Sequence, residues 1–263
     1  MNLFNFYKYQ GTGNDFVMID NRNDMFDKSN LTLIKNLCDR RFGIGAYGLI
    51  LIENSTGLDF NMIYFNADGS KSFCGNGSRC AVVFAKHLGI IESQAIFLST
   101  DGEHEAWINK NGEVSLKMHD VLEIEKGNDY YFIHTGSPHY IIDVEDVDKI
   151  NVFEEGRKIR YNERFKSEGT NVNFVSYQTD SLQIRTYERG VENETLSCGT
   201  GVTASALSWA DKYKLTEGKV VVKTQGGELQ VAFKRNEFGF NDIWLIGPAV
   251  QVFKGQLSPL ERG

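Results

Sequence analysis

Short apolar runs alternate with polar turns along nearly the whole chain. In the first half "FVMID", "GLILIE", "DFNMIYFN", "AIFLST" and "EVSLKM" are rich in β-branched or aromatic residues and are bounded by Gly, Asn and Asp. Runs of this kind read as strands. The second half offers "YYFIHT", "HYIIDV", "NFVSYQ", "LQIRTYE", "KVVVKT", "LQVAF" and "IWLIG". Helical spacing is scarce. "LTLIKNLCDRRF" has it, and so do residues 76–88 and 200–213, which are Ala-rich and apolar nearly all round. A helix apolar on every side is a buried one. The expected class is α+β, with a barrel-like, mostly antiparallel sheet wrapped around a central helix.

The pattern occurs twice. "TGNDFVMID" at 12–20 aligns with "TGSPHYIID" at 135–143, an offset of 123. Cys74 and Cys198 lie 124 apart, as do Thr100 in "STDGE" and Thr224 in "KTQGGE". Agreement of three landmarks points to two copies of one fold. The period is far too long for a solenoid, so two similar pseudo-repeat domains are expected, 1–122 and 123–249, with the active site in the cleft between them. The polar stretch 123–131 forms the seam. The tail, 250–263, packs back on the first domain in this reading.

Composition narrows the function. The 263 residues are 41% hydrophobic and 24% charged, as in ordinary soluble domains. The net charge of −7 argues against nucleic acid or an anionic membrane as partner. No run approaches the 18 or so apolar residues of a membrane span, and no signal peptide opens the chain. Four cysteines are too few for a disulfide scaffold, so a cytoplasmic chain with reduced thiols is expected.

Two of those cysteines share a context. Cys74 stands in "NADGSKSFCGNGSRC" and Cys198 in "ENETLSCGTGVTASALSWA", each followed by Gly-x-Gly and a buried helix. The first turn of a helix leaves backbone N–H groups unpaired and carries partial positive charge. Such a site binds a carboxylate and favours a thiolate. Two thiols, each beside an anion cradle, suit proton removal from one face of a carbon and delivery to the other. Cys38 and Cys80 lie inside apolar helical patterns and read as small hydrophobes. A Cys74–Cys198 disulfide is the alternative for the pair. Zinc is disfavoured because the 74/80 spacing is not Cys-x-x-Cys and no His pair completes a set. "GIGAYG" at 43–48 matches G-x-G-x-x-G, but a helix precedes it and a strand follows, the reverse of a dinucleotide fingerprint.

The chain resembles the diaminopimelate epimerase family in "GTGNDF" 11–16, "RFGIGAYG" 41–48, "FNADGSKSFCGNGSRC" 65–80, "GSPHY" 136–140, "GTNVNF" 169–174 and "YERGVENETLSCGTG" 187–201. The resemblance implies an isomerase that interconverts LL- and meso-diaminopimelate without pyridoxal phosphate, other cofactor or metal, in lysine and peptidoglycan precursor synthesis. It implies Cys74 and Cys198 as the thiolate/thiol acid–base pair, with His139 and Glu188 supporting them. It implies Gly75, Asn76, Gly199 and Thr200 as donors to the reacting carboxylate, and Asn14, Asn66, Asn173, Glu188 and Arg189 as contacts to the substrate, largely its distal end. The expected partner is that small molecule, with a homodimer left open as the assembly. Two positions depart from the family: Tyr47 where Asp is usual, and Ser137 where Asn is usual.

Other readings stay open on the residues alone. One is a related cofactor-independent racemase acting on proline or hydroxyproline, which would need neither Glu188 nor Arg189. Another is a thiol redox protein using Cys74 and Cys198 as a switch.

Overall fold

The apolar runs pair into sheet in two separate units. The computed structural model describes residues 4–257. One unit runs to Leu116 and resumes at Pro248; the other is Lys117–Gly247.

The first unit holds β1 Phe4–Gly11, β2 Asn14–Asp20, α1 Leu31–Cys38, β3 Gly48–Glu53 and β4 Phe60–Asn66. It continues with α2 Gly75–His87, β5 Gln94–Ser99, β6 Gly102–Ile108 and β7 Val114–Lys117. β1 and β2 pair antiparallel, β2 and β3 parallel, and β3 and β4 antiparallel. β4 and β5 are parallel, and β5–β6 and β6–β7 antiparallel.

The second unit holds β8 Ile124–Lys126, β9 Tyr130–His134, β10 Pro138–Asp143, α3 Val152–Arg160, β11 Asn171–Tyr177 and β12 Ser181–Glu188. Then come β13 Asn193–Thr195, α4 Gly199–Lys212, β14 Glu217–Thr224, β15 Gly227–Asn236 and β16 Gly239–Gly247. From β9 onward its pairings repeat those of the first unit in order: antiparallel, parallel, antiparallel, parallel, then two antiparallel, with β13 as an added short strand on β12. Even the register repeats. Phe16 lies opposite Gly48 in one parallel pair, and His139 opposite Asn171 in the other, both 123 residues on. The doubling read from the sequence is therefore a doubling of topology.

The last strand, β17 Val250–Leu257, pairs antiparallel with β1, as β8 does with β9. The expected packing of the tail beyond Leu257 lies outside the described residues.

Each repeat centres on its apolar helix. α2 is buried from Gly75 to Val82 and again at Phe84 and Ala85; α4 is buried from Gly199 to Ala210. α2 touches β1, β2, β3, β4 and β6, and α4 touches β9–β12 and β14–β16, so each is enclosed by its own strands. The α+β class, with few helices and a large mixed sheet, agrees with the sequence reading.

α3 is the helix that reading lacks. "VFEEGRKIR" buries only Val152 and Gly156, so its apolar stripe is too thin to register. Gly156 is there because the helix presses on β12: a Cβ would come within 2.4 Å of Tyr187 Cβ. Asn151 caps α3 by accepting from Glu154 N, as Asn30 caps α1 by accepting from Leu33 N.

Candidate active site: two thiols at equivalent helix starts

Cys74 and Cys198 are the N-cap residues of α2 and α4, with nearly the same extended backbone (φ −140°, ψ 106° and φ −130°, ψ 110°). Both are partly exposed, whereas the glycine after each is buried. The Gly-x-Gly sequence lets the strands approach the first helical turn. A Cβ on Gly77 would meet Ile50 Cδ1 at 3.0 Å, and one on Gly201 would meet Asn173 Oδ1 at 2.7 Å. Cys38 and Cys80 are buried, and burial pushes their thiols up to about 11 and about 12.

In the first unit Gly77 N–H donates to Cys74 Sγ at 3.4 Å. Asn76 accepts from Arg79 Nη1 at 3.0 Å, and Arg79 Nη2 donates to Thr12 Oγ1 at 2.7 Å. These bonds tie the β1–β2 turn, just before Asn14, to the first turn of α2. Asn14 is buried at the start of β2. Asn66 ends β4, and its Nδ2 donates to Ser70 O, Ser70 Oγ and Ser72 Oγ. It thereby ties down the loop that leads into Cys74. Tyr47 N–H donates to Asp15 O at 2.8 Å, and the Tyr47 ring sits edge-on to Phe16 at 6.0 Å.

In the second unit the thiol heads a buried polar chain. Cys198 Sγ lies 3.4 Å from Thr200 Oγ1, and Thr200 Oγ1 lies 2.9 Å from His139 Nε2. His139 Nδ1 meets Asn173 Nδ2 at 3.1 Å, and Thr186 Oγ1 donates to Asn173 Oδ1 at 2.9 Å. The Asn173 amide makes Nδ1 the acceptor, which puts the ring proton on Nε2, aimed at Thr200. Thr200 is then left to donate to Cys198. His139 is fully buried, and burial, followed by His134 nearby, lowers its pKa to about 3. It is a neutral ring at physiological pH. Thr200 O accepts from Thr135 Oγ1 at 2.8 Å, fixing the helix start from a second side.

Glu188 ends β12 and accepts from Thr195 Oγ1 at 2.8 Å. Arg189 is exposed; its backbone N–H donates to Asn171 Oδ1 and its Nη1 to Glu168 O. Asn171 also donates to Pro138 O, joining the Arg189 turn to the segment before His139. Ser137 is partly buried, and its carbonyl accepts from Thr135 N.

The sequence-expected residues thus gather as Asn14, Asn66, Cys74, Gly75 and Asn76 in one unit and His139, Asn173, Glu188, Arg189, Cys198, Gly199 and Thr200 in the other. Asn173 differs from the expected substrate contact: it is 0% exposed and its amide is committed to His139 and Thr186. Arg79, Thr12, Asn171 and Thr186 were not singled out from sequence. Arg79 carried a signal, a charged residue within the buried part of an Ala-rich helix.

A doubled α+β unit with a buried helix in each half is also the fold of a phenazine biosynthesis protein of the PhzF family from Bacillus anthracis (TM-score 0.77, 16% identity, covering 98% of this chain and all of that one). The sequence goes further. A family profile described as diaminopimelate epimerase matches residues 6–122 and 131–251. The diaminopimelate epimerase of Flavobacterium psychrophilum is 51% identical over 94% of this chain and 98% of its own length. That of Aquifex aeolicus is 40% identical over 96% and 97%. The chain belongs to the diaminopimelate epimerase family and is an isomerase. Among the described residues no helix is long and apolar enough to cross a membrane.

Proposed function

We propose that the chain interconverts LL- and meso-diaminopimelate by a two-base mechanism in which Cys74 and Cys198 are the acid and the base. One thiolate removes the α-proton. The other cysteine, as thiol, delivers its proton to the opposite face of the same carbon. The observation that carries this reading is the equivalence of the two thiols, each the N-cap of the buried helix of its repeat. The N–H groups of Gly75, Asn76, Gly199 and Thr200 belong to those first turns and are suited to the carboxylate on the reacting carbon, whose charge grows as the proton leaves.

His139 is neutral, and through Thr200 it supports Cys198. Asn173 orients His139 rather than touching substrate. Glu188 suits the distal ammonium and Arg189 the distal carboxylate, which its planar fork can grip with two hydrogen bonds. Asn14 and Asn66 complete the polar lining from the first unit. The product belongs to the supply of lysine and peptidoglycan precursors, and the setting is cytoplasmic.

The test is kcat/KM for LL-diaminopimelate, L-lysine and L-proline on one preparation. Diaminopimelate alone should turn over well. Equal turnover of lysine or proline would sink the substrate assignment while leaving the thiol chemistry standing.

A further inference from the structure

We propose that Arg164 is a positioning residue for Arg189: it pins the segment 161–169, and that segment holds the Arg189 side chain ready for the distal carboxylate. The inference rests on the reading of Arg189 given above and adds what keeps its side chain in place.

Residues 161–169 join α3 to β11. They form a series of turns, exposed from Tyr161 to Glu168 except at Phe165, so little packing holds them. The segment meets Arg189 at two points. Glu168 O accepts from Arg189 Nη1 at 2.8 Å. Gly169, at φ +74°, lies against the side chain: a Cβ there would come within 2.7 Å of Arg189 Cδ and of Arg160 Cζ. The positive φ and the two arginines both favour a residue without a side chain. The backbone of Arg189 is fixed separately, by its N–H donating to Asn171 Oδ1 at the start of β11. The course of its side chain is therefore set by where residues 168 and 169 sit. A guanidinium has five N–H donors, so the bond to Glu168 O leaves donors for a carboxylate. A long side chain already held in place loses less freedom when it grips a ligand.

Arg164 fixes the segment in turn. Its guanidinium carbon sits 4.8 Å from the ring centre of Phe165, 4.9 Å from that of Phe132 and 5.5 Å from that of Tyr130. Nη2 donates to Glu125 Oε2 at 2.7 Å and Nη1 to the Tyr130 hydroxyl at 3.0 Å. That hydroxyl donates to Glu125 Oε1 at 2.7 Å, so guanidinium, phenol and carboxylate close a ring of hydrogen bonds. Glu125 is on β8, and Tyr130 and Phe132 are on β9, which fastens the segment to a hairpin of the sheet. Phe165 is the second anchor. It stacks on Phe132 at 5.6 Å and meets Tyr140 edge-on at 5.5 Å, and its carbonyl accepts from Arg160 Nη1 at 3.3 Å. An isolated surface ion pair contributes little, but this one is stacked on rings and joined into a network.

The test uses Arg164→Gln and Arg164→Lys in the full chain, with two readouts. The first needs no substrate. Phenylglyoxal, which bridges two guanidinium nitrogens, is reacted with the protein and the modification of Arg189 is followed by mass spectrometry. Arg164→Gln should speed that modification and also speed amide hydrogen exchange across 161–169. Arg164→Lys, which keeps a cation beside Glu125 and the rings, should fall between. The second readout is steady-state kinetics with LL-diaminopimelate. Arg164→Gln should raise KM roughly 2–10-fold, the cost of ordering one long side chain expressed as an affinity ratio, with kcat unchanged. A folded Arg164→Gln in which Arg189 reacts at the wild-type rate would overturn the inference. So would a fall in kcat with KM unchanged, which marks mere loss of folded enzyme, or an unchanged KM where Arg189→Met raises it. If Arg189→Met also leaves KM unchanged, the distal-carboxylate reading fails instead, and the Arg189 modification rate decides the positioning alone. Glu125→Gln, which leaves Arg164 among its rings, should move both readouts the same way by less, and it decides if Arg164→Gln does not fold.

Discussion

The ground beneath Cys74 and the ground beneath Cys198 are built from the same positions and made of opposite materials. Under Gly77, three residues after Cys74, lie Ile50 and Met62; under Gly201, three after Cys198, lie Asn173 and His139. Ile50 faces Tyr64 across β3 and β4, and Asn173 faces Thr186 across β11 and β12. His139 takes the register position of Phe16. One copy thus keeps an apolar floor under its helix start, with the buried Arg79 tied to Asn76 and Thr12. The other threads a neutral hydrogen-bond chain to its thiol. Duplication preserved the helix start and let its support diverge.

Removing either thiol should have the largest effect. Cys74→Ala and Cys198→Ala should each lower kcat/KM by roughly 10²–10⁴-fold, the usual contribution of a general acid or base. Similar losses on both sides would mean that the differing floors serve equally necessary groups; a variant retaining a tenth or more of wild-type rate would break the symmetry of the scheme. Arg189→Met comes next, at roughly 2–5 kcal/mol in kcat/KM for diaminopimelate, as for loss of one partner of a charge pair that the substrate would bury. Arg189→Lys should recover only part of it.

The polar floor should also mark itself in stability against pH. His139 titrates at about 3 when folded against an ordinary 6.5, so below 6.5 the unfolded chain binds the proton that the folded one refuses. Stability is complete above pH 6.5 and falls as pH drops toward 3, by up to about 1.4 kcal/mol per unit. Urea unfolding of the wild type and of His139→Asn over that range should give a flatter curve for the variant; parallel curves would place the histidine's proton elsewhere. The smallest effect should separate the two glycines. Gly201→Ala drives a methyl against the Asn173 amide oxygen, and overpacking of this kind costs about 1–3 kcal/mol. Gly77→Ala meets only the movable end of Ile50 and should cost less in the same thermal melt.

Much of this comparison was legible in the sequence. The strand runs, the two buried helices and the Cys-Gly-x-Gly repeat stand out because each repeats a strong local pattern. α3 did not, because a glycine and seven mostly polar residues hide its single buried edge. The polar chain was half visible. His139 and Thr200 were named, yet Asn173 was assigned to substrate, since a motif gives a residue's identity and not the direction of its side chain. Inward-facing Asn173 and Thr186 look like any polar residue in a strand until the register brings them together. Arg79 hid within the motif itself, and only the structure shows it buried and bonded to Asn76 and Thr12.

The most direct test of the two-thiol claim is the fate of the α-hydrogen in deuterium oxide. LL-Diaminopimelate is incubated with the enzyme and both isomers are analysed by mass spectrometry at low conversion. If one thiol takes the proton and the other delivers a different one, the newly formed meso isomer carries one solvent deuterium at the inverted carbon. The recovered LL isomer stays unlabelled at that stage. Meso product that keeps the original hydrogen would mean that a single group removes and returns the same proton, and would contradict the account.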